Sequence, residues 1–380
     1  MATGTPATVL QLRSSAGMYG ADRVVLALDG ALRNEGARSA LLCIRNYLLD
    51  AQPLHQAAVA AGSDAMLLPC RGRIDMRTVD ALVALVDARG ADMLHVHDYK
   101  SAFYAWLAAR RRPGVKLVAT LHGWVESSRA LRLYTTLELA LLRRFDALAV
   151  VSRPQVERLL RAGVPRDRIH QIDNGIAMPA PAPERPGLRR ALGLAGPGPV
   201  LAAVARLSPE KNLAQLVSAF AAASAASPGA CLLVVGDGPD REALQALAGA
   251  SGAAHRIVFA GRRDDMDDIY RIVDALVLPS LSEGMPLVVL EAMSHGLPVI
   301  ASAVGEVPRL LAGTEHGVLL RPGDGAQLQA ALLQAVTQPP GHDARAVDTV
   351  RTCYSTAAMA ARYLDLYHSL QEQDHDRRSA

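Results

Sequence analysis

Short apolar runs alternate with longer amphipathic segments along most of the chain. In the first half the apolar runs lie at 7–12, 39–44, 64–68, 92–97, 116–122 and 147–152. Because each run is nearly continuous in apolar residues, we expect parallel strands that are buried on both faces. Segments between them, such as 76–89, carry apolar residues at helical spacing. This alternation predicts a doubly wound α/β sheet.

The pattern stops once and then restarts. Prolines crowd residues 176–187, which cannot continue a helix or a strand and therefore predict a linker. Further apolar runs follow at 199–205, 230–236, 256–261, 274–280 and 298–302. We therefore expect two Rossmann-like domains facing a central cleft, with ligands at the carboxyl ends of the strands. The expected bounds are 1–177 and 189–354 for the domains, 178–188 for the linker, and 355–372 for a last helix packed on the first domain.

The composition is that of a globular chain with large cores. It has 380 residues, of which 50% are hydrophobic and 20% are charged. A formal net charge of +3 is too small to make nucleic acid the main partner. The first 185 residues hold 24 Lys and Arg against 17 Asp and Glu, whereas the remainder hold 16 against 20. This asymmetry suggests an anionic acceptor or membrane surface beside the first half, although scattered solvated arginines explain it equally well.

The cysteines Cys43, Cys70, Cys231 and Cys353 are far apart and form no CxxC pair. Their spacing indicates neither a disulfide framework nor a zinc site, and it is typical of a reducing compartment. The N-terminal residues lack the basic start and apolar run of a signal peptide, and no uncharged apolar stretch reaches about 18 residues. We therefore expect a cytoplasmic protein, at most peripheral at the inner face of the membrane.

Residues 280–302 carry the strongest chemical signal. A polar loop with Gly284 follows an apolar run, and Pro286 suits the first position of a helix. A loop that leads into a helix N-terminus offers backbone N–H groups and a positive dipole end to a phosphate. Glu283 lies in this loop, and Glu291 lies about a turn and a half into the helix. Either acid alone is most simply a solvated surface group, but their spacing in this context favours a ligand site.

Arg206 and Lys211 form a second candidate site, after the first strand of the C-terminal domain. The phosphate of a Rossmann unit binds at this position. Arg206 offers a bidentate guanidinium and Lys211 a point charge, which suit a diphosphate leaving group. We expect Ser208 to cap a helix that Pro209 begins, with Lys211 in its first turn. A lysine there opposes the helix dipole unless an anion offsets it, which weakens a purely structural interpretation.

Together these motifs resemble those of retaining glycosyltransferases of family 4, which have the GT-B fold. The resemblance rests on the E-x7-E pair of SEGMPLVVLE, the R-x4-K of ARLSPEK and the VGDGP turn at 235–239. Further matches are the glycine loop SAGMYGADRVV (15–25), HVHD (95–98), TLHG (120–123), VVS (150–152) and NGI (174–176). They run from the first strand to the terminal helix, over nearly the whole chain.

The resemblance implies transfer of a sugar from a nucleotide-diphosphate donor to an acceptor hydroxyl, with the anomeric configuration retained. It implies that Glu291 holds the ribose hydroxyls and that Glu283 and His122 lie near the donor sugar. Arg206 and Lys211 would neutralise the leaving diphosphate, where preorganised positive charge lowers the barrier. The other donor-site residues that it implies are Gly17, Gly20, Gly236, Arg262, Gly284, Met285, Pro286 and Leu287. Neither a protein nucleophile nor a metal or further cofactor is required.

Weaker signals concern the acceptor side. His95 and His97 alternate at a strand end, but two histidines without a third ligand are more often structural than metal-binding. We expect His97 and Asp98 instead to line the acceptor side of the cleft. Segment 129–144 predicts a helix with arginines around apolar residues. An ordinary surface helix explains it better than a helix resting on an anionic membrane, although peripheral membrane contact stays open.

Two further acidic features bear on the family assignment. Asp265 and Asp267 superficially match the metal-binding acids of the other large glycosyltransferase fold, but acids that open a helix are favoured by its dipole. Glu306 stands where many relatives carry a second glycine, a change that would alter contacts around the donor or acceptor.

Other function classes stay open from the sequence. An epimerase or a phosphorylase can use the same architecture, because a fold alone does not fix the reaction. A non-catalytic nucleotide-sugar-binding subunit is a further alternative, although the set Arg206, Lys211, Glu283 and Glu291 is complete. The favoured interpretation is a hexosyltransferase-like enzyme of polysaccharide, glycolipid or glycoconjugate biosynthesis, with a sugar, lipid-linked or small-molecule acceptor.

Overall fold

The computed structural model describes residues 7–122, 129–194 and 197–379, and the chain divides into two compact units. Unit 1 comprises Met1–Ala177 together with Ser355–Ala380, and unit 2 comprises Met178–Tyr354. Each unit is built on one parallel β-sheet flanked by helices. The prediction of an α/β fold with two parallel sheets is confirmed.

The sheet of unit 1 has seven strands: β1 (Thr8–Arg13), β2 (Arg38–Ile44), β3 (Ala65–Leu68), β4 (Met93–Val96), β5 (Lys116–Leu121), β6 (Ala147–Val150) and β7 (Ile169–Gln171). They pair in parallel in the order β3-β2-β1-β4-β5-β6-β7. The helices between them are α1 (Gly20–Asn34), α2 (Pro53–Ala60), α3 (Met76–Arg89), α4 (Tyr99–Arg111), α5 (Arg129–Leu142) and α6 (Arg153–Arg161). The inner strands β4 and β6 are buried at every position, as parallel strands covered on both faces should be.

The sheet of unit 2 has six strands: β8 (Val200–Val204), β9 (Cys231–Val235), β10 (Ile257–Gly261), β11 (Ala275–Leu278), β12 (Val299–Ser302) and β13 (Val318–Leu320). Their order is β10-β9-β8-β11-β12-β13, so the direction of winding reverses at β8. The helices of this unit are α7 (Leu188–Ala191), α8 (Leu213–Ala223), α9 (Arg241–Ala250), α10 (Met266–Ile272), α11 (Leu287–Ser294), α12 (Val307–Leu311), α13 (Gly325–Thr337) and α14 (Ala344–Cys353). Residues 177–187, which precede α7, contain neither helix nor strand.

The last helix, α15 (Thr356–Ser379), belongs to unit 1. Two of its tyrosines are buried against the sheet. The hydroxyl of Tyr363 lies 2.7 Å from Oγ1 of Thr120, and the hydroxyl of Tyr367 lies 2.7 Å from Nδ1 of His95. These bonds tie the end of the chain to β4 and β5. No helix in the described part of the chain is both long enough and apolar enough to cross a membrane.

Candidate active site

The loops that follow the central strands of unit 2 meet at one edge of its sheet. Residues 205–212 follow β8, residues 236–240 follow β9 and residues 279–286 follow β11. These strands are parallel, so their carboxyl ends lie at the same edge. Because the winding reverses at β8, the connections after β8 and β11 leave the sheet on opposite sides and open a crevice there.

Lys211 lies in a single 3₁₀ turn, not in the first turn of an α-helix. The turn covers Pro209–Lys211 and is followed by Asn212, whose φ is 54°. A helical turn therefore begins at Pro209 and contains Lys211, as expected, but it is one turn of 3₁₀ helix. Asparagine tolerates the left-handed conformation, which separates the turn from α8. Ser208 does not cap the turn, because its hydroxyl donates to Oε1 of Glu210 at 2.6 Å.

Lys211 and Glu283 form an ion pair that joins the two sequence motifs. The distance from Nζ to Oε1 is 2.7 Å, and the side chains are only 20% and 9% exposed. The backbones of the loops also meet, since the N–H of Leu281 donates to the carbonyl of Glu210 at 2.8 Å. Glu283 thus supplies the anion that offsets the lysine. Arg206, at the end of β8 in the same loop, is exposed.

The loop after β11 packs against the loop after β12 with no room for a side chain at Gly305. Its φ is 55°, and a Cβ atom there would lie 2.3 Å from the carbonyl oxygen of Glu283 and 2.4 Å from that of Gly284. The N–H of Glu306 donates to the Gly284 carbonyl at 2.9 Å. The Glu306 carboxylate is buried and accepts from Nε of Arg309 at 2.6 Å. Sequence reasoning missed Gly305, although its place beside Glu306 was a signal.

The segment between the two acids of the E-x7-E motif leads from loop to helix. Met285 and Pro286 are buried, and Leu287 is half-buried. Pro286 is the residue before α11 rather than its first residue, so the helix begins one position later than predicted. The first N–H groups of any helix lack intrahelical acceptors. In α11 these N–H groups directly follow the loop that carries Glu283, the partner of Lys211. Backbone donors and the Lys211 cation therefore lie at the same edge of the sheet of unit 2.

Glu291, within α11, is held by a tyrosine that sequence reasoning did not find. The hydroxyl of Tyr270 donates to Oε2 of Glu291 at 2.7 Å. Tyr270 belongs to α10 and is 1% exposed, so its position is fixed by packing. The bond orients the carboxylate. The spacing of the motif could not predict this hydrogen bond, because Tyr270 and Glu291 belong to different helices.

Gly236 and Gly238 bring the turn after β9 against the backbone of the loop after β8. Gly236 has a φ of 134°, and a Cβ atom there would lie 1.9 Å from the carbonyl oxygen of Ala205. At Gly238 a Cβ atom would lie 2.3 Å from the carbonyl oxygen of Leu207. The VGDGP turn therefore has a packing reason for its glycines. Arg262 directly follows the neighbouring strand β10.

The acids around α10 are structural. Asp265 precedes the helix and accepts from Nε and Nη2 of Arg263 at 2.8 and 2.6 Å. Asp267 lies in the first turn, where the helix dipole favours a carboxylate. Among the residues that the structure describes, no group of three His, Cys, Asp or Glu side chains is arranged to hold a metal ion.

In unit 1, His97 and His122 come together just beyond the ends of β4 and β5. Their rings stack with centroids 5.4 Å apart, and Nδ1 of His97 lies 3.2 Å from Nε2 of His122. Burial, with the nearby charge of Arg13, lowers the pKa of His122 to about 3. Burial also holds the pKa of His97 well below its usual value. Both rings are therefore neutral near pH 7.

The expected acceptor-side role of His97 and Asp98 stays a prediction, and in the structure both side chains bond within unit 1. His97 is only 3% exposed. Asp98 caps α4: its Oδ1 accepts from the N–H of Ser101 at 2.9 Å, and its Oδ2 accepts from the Ser101 hydroxyl at 2.6 Å. The same Oδ2 accepts from the N–H of Ser14 at 2.7 Å. Both side chains are thus committed to contacts within unit 1.

The glycine loop of unit 1 leads from β1 into α1, which begins at Gly20. Buried Asp22 braces it, accepting from the N–H of Tyr19 at 3.0 Å and from Nε of Arg13 at 2.8 Å. A Cβ atom at Gly17 would lie 3.0 Å from the Tyr19 ring, so the loop has little room there. Gly17 lies in the loop before α1, and Gly20 is the first residue of the helix.

The arginine-rich segment 129–144 forms α5 and the turn after it. Nε of Arg143 donates to the carbonyl of Ala162 at 2.5 Å, and the Arg144 guanidinium lies 5.6 Å from the centre of the Trp106 ring. These two arginines therefore contact unit 1 itself. The side chains of Arg129 and Arg132 lie outside the described residues.

Two families match the chain, one for each unit. Residues 198–338 match the family described as Glycosyl transferases group 1, and residues 18–178 match Glycosyltransferase Family 4. The chain is 34% identical over 208 residues to 2-deoxystreptamine N-acetyl-D-glucosaminyltransferase of Streptomyces fradiae, a match covering 53% of this chain and 48% of that protein. It is 30% identical over 261 residues to UDP-Gal:alpha-D-GlcNAc-diphosphoundecaprenol alpha-1,3-galactosyltransferase of Escherichia coli, covering 66% of this chain and 67% of that protein.

The fold matches the crystal structure of Anabaena Alr3699/HepE in complex with UDP and glucose. The TM-score is 0.81 at 20% sequence identity, and the match covers 96% of this chain and 100% of that one. At this identity the likeness establishes the fold. The sequence matches span about half the length of the Streptomyces protein and two thirds of the Escherichia coli protein.

Proposed function

This chain belongs to glycosyltransferase family 4 and has the GT-B fold, and we propose that it transfers a sugar from a nucleoside-diphosphate donor to an acceptor hydroxyl with retention of the anomeric configuration. The observation that carries the proposal is the largely buried ion pair of Lys211 and Glu283, which joins the loops after β8 and β11, where the strand order of unit 2 reverses direction. A cation held by a carboxylate at such a crevice suits an incoming diphosphate.

The chemistry follows from these charges. As the bond between the anomeric carbon and the diphosphate oxygen breaks, negative charge grows on the leaving group. Lys211, Arg206 and the N–H groups that open α11 are the groups proposed to stabilise it, because fixed dipoles and cations act most strongly where charge develops. The acceptor oxygen bonds to the anomeric carbon on the same face, and its proton passes to the departing phosphate. When the diphosphate replaces Glu283 as the partner of Lys211, the Glu283 carboxylate is free to accept a hydrogen bond from a sugar hydroxyl.

Glu291 is the proposed acceptor for the ribose hydroxyls. Tyr270 donates to Oε2 at 2.7 Å and thereby orients the carboxylate. A carboxylate that accepts from two neighbouring hydroxyls makes charge-assisted bonds, which are stronger than neutral ones. Gly236 and Arg262 follow the neighbouring strands and are proposed to lie beside the nucleotide.

The acceptor is proposed to be a sugar, a lipid-linked glycan or a small molecule, handled in the cytoplasm. The two similar enzymes described above are named for a 2-deoxystreptamine and for a diphosphoundecaprenol-linked GlcNAc. UDP-sugars are the first donors to test, because HepE was crystallised with UDP and with UDP-glucose. We propose no metal requirement, so turnover should survive a chelator.

The first experiment is thermal unfolding against UDP, GDP, ADP, TDP and NAD. A ligand at about 100 times its Kd stabilises the native state by about 2.7 kcal/mol, which is readily measured. Selective stabilisation by one nucleoside diphosphate names the donor class to be offered as sugar nucleotides. The configuration of the product is then read from the NMR coupling of its anomeric proton. Stabilisation by NAD alone would overturn the proposal, and an inverted product would overturn its stereochemical part.

A further inference from the structure

One buried nitrogen in unit 1 points to a ligand. It is Nδ1 of His122, for which residues 7–122, 129–194 and 197–379 provide no hydrogen-bond partner. Buried polar atoms in native proteins are nearly always paired, because leaving one unpaired is costly. An unpaired acceptor beyond the end of a central strand is therefore most simply a binding atom.

A line of four hydrogen bonds connects this histidine with a buried carboxylate. Oγ of Ser39 lies 2.7 Å from Oδ1 of Asp29, and Nε2 of Gln11 lies 2.9 Å from Oγ of Ser39. Oε1 of Gln11 lies 3.2 Å from Nε2 of His97. Nδ1 of His97 then lies 3.2 Å from Nε2 of His122. Asp29, Ser39, Gln11 and His97 are all buried.

The carboxylate gives the line a single direction. Asp29 accepts, so Ser39 donates to it and its oxygen accepts from the amide of Gln11. This turns the Gln11 oxygen toward His97, whose Nε2 must then carry the proton. His97 is neutral, because burial keeps its pKa well below the usual value, so its Nδ1 accepts from Nε2–H of His122. His122 is neutral for the same reason, which leaves its Nδ1 without a proton.

We propose that Gln11 and His97 are positioning residues that hold His122 in the Nε2–H tautomer, so that its Nδ1 accepts a hydrogen bond from a sugar hydroxyl of the substrates. The inference rests on the proposed function, which supplies the hydroxyl. The opposite tautomer of His122 would set two lone pairs against each other between the rings. The alternative, that the line only satisfies buried polar groups, does not explain why its last atom is unpaired in the described chain.

The tautomer can be measured directly in the ligand-free protein. ¹⁵N NMR of histidine-labelled protein, with the signals of His122 assigned from the His122→Gln spectrum, should show a protonated Nε2 and a bare Nδ1. Gln11→Met removes the acceptor that faces His97 and should give a mixture of tautomers at His122. Gln11→Glu keeps an oxygen there and should preserve the single tautomer. A protonated Nδ1 in the unchanged protein, or an unaltered His122 in Gln11→Met, overturns the inference.

Thr120→Val is the matched control. It removes a buried hydrogen bond of the neighbouring His95 at 2.7 Å but no bond of Gln11, His97 or His122. It should leave the tautomer of His122 unchanged, and a tautomer change in this variant counts against the specific role of Gln11. Should Gln11→Met fail to fold, the spectra of the unchanged protein and of Gln11→Glu decide the question.

Kinetics test what the tautomer does. Gln11→Met should lower kcat/KM about tenfold, which is the value of one neutral hydrogen bond. In a protein that already carries His122→Gln, the same change should not lower kcat/KM any further. An additive loss in the double variant would show that Gln11 acts only on structure. If the hydroxyl belongs to the donor sugar, a deoxy donor lacking it abolishes the penalty of His122→Gln; if it belongs to the acceptor, the penalty lies in the acceptor KM.

These readouts separate the inference from the proposed function. A chain that turns over no sugar nucleotide contradicts the proposed function, while the NMR result on the free protein still measures the tautomer. A single Nε2–H tautomer with unchanged kinetics in His122→Gln would contradict the role of Nδ1 alone.

Discussion

The Nζ atom of Lys211 lies 2.7 Å from Oε1 of Glu283, although 72 residues separate the two along the chain. The pair links the loop after β8 to the loop after β11. These two strands are neighbours, and the strand order of the sheet changes direction between them. Partial burial strengthens such a pair relative to a surface ion pair, because less solvent screens it. The pair thereby holds the Lys211 ammonium group at this edge of the sheet, where we propose that the donor diphosphate binds.

Lys211→Ala should lower kcat more than it weakens donor binding. The positive charge matters most as the diphosphate departs, and removing one preorganised group of this kind typically costs about 10²-fold in kcat. Steady-state kinetics at saturating donor would give kcat, and calorimetry with the sugar nucleotide would give Kd. Lys116→Ala, the same change in unit 1, is the control and should leave both unchanged. A loss seen only in Kd would assign Lys211 to ground-state binding instead.

Gly305→Ala should destabilise unit 2 and reduce activity. A methyl group there would lie 2.3 Å from the carbonyl oxygen of Glu283 at a φ of 55°, so the loop that carries Glu283 must move. Gly249→Ala is the matched control, because that helical position has open space and no positive φ. We expect it to be neutral or to stabilise by up to about 1 kcal/mol. Equal melting temperatures for the two variants would contradict the close approach of these loops.

The sequence predicted those parts of the fold and site that depend on local patterns. Continuous apolar runs predicted parallel strands, and the loops carrying Lys211 and Glu283 were placed at strand ends. The 3₁₀ turn was not predicted, because the left-handed Asn212 depends on the loop around it. Contacts between distant segments also escaped prediction. The bond from Tyr270 to Glu291 joins two helices, and nothing in either helix's own spacing encodes it.

The histidines show the same limit in unit 1. Sequence placed His122 near the donor sugar through family resemblance and left His97 as an acceptor-side residue. His97 is buried because its ring packs against the ring of His122 and against that of His95, whose centre is 4.2 Å away. A motif such as HVHD does not show that both of its histidines are buried, because the neighbouring elements decide that.

Glu291→Ala should weaken donor binding, because the ribose hydroxyls lose their proposed acceptor. Tyr270→Phe should weaken it less, since the carboxylate stays but loses the bond that orients it, worth about 1.5–3 kcal/mol for a charged acceptor. Calorimetry with UDP and with 2′-deoxy-UDP provides the measurement. The preference for ribose over deoxyribose should shrink in Glu291→Ala. If both variants discriminate between the two sugars as well as the unchanged protein does, Glu291 does not hold the ribose.

Unfolding stability should fall as the pH drops below about 6.5. Burial lowers the pKa of His95 from 6.5 to about 3, and it holds the pKa of His97 well below its usual value. The unfolded chain exposes these rings and binds protons that the native state excludes. The native state therefore keeps its full stability above pH 6.5 and loses it as the pH falls toward 3, by about 1.4 kcal/mol per pH unit for each histidine.

Chemical denaturation between about pH 7.5 and pH 5 would measure this slope in the stability of unit 1. His95→Gln removes one titrating ring from the core. The unfolding free energy of this variant should therefore fall less steeply with pH, by about 1.4 kcal/mol per pH unit. Thr120→Val breaks a bond of the same ring without removing the proton site, so it should lower stability at every pH and leave the slope unchanged. Parallel slopes in the unchanged protein and His95→Gln would show that His95 does not drive the pH dependence.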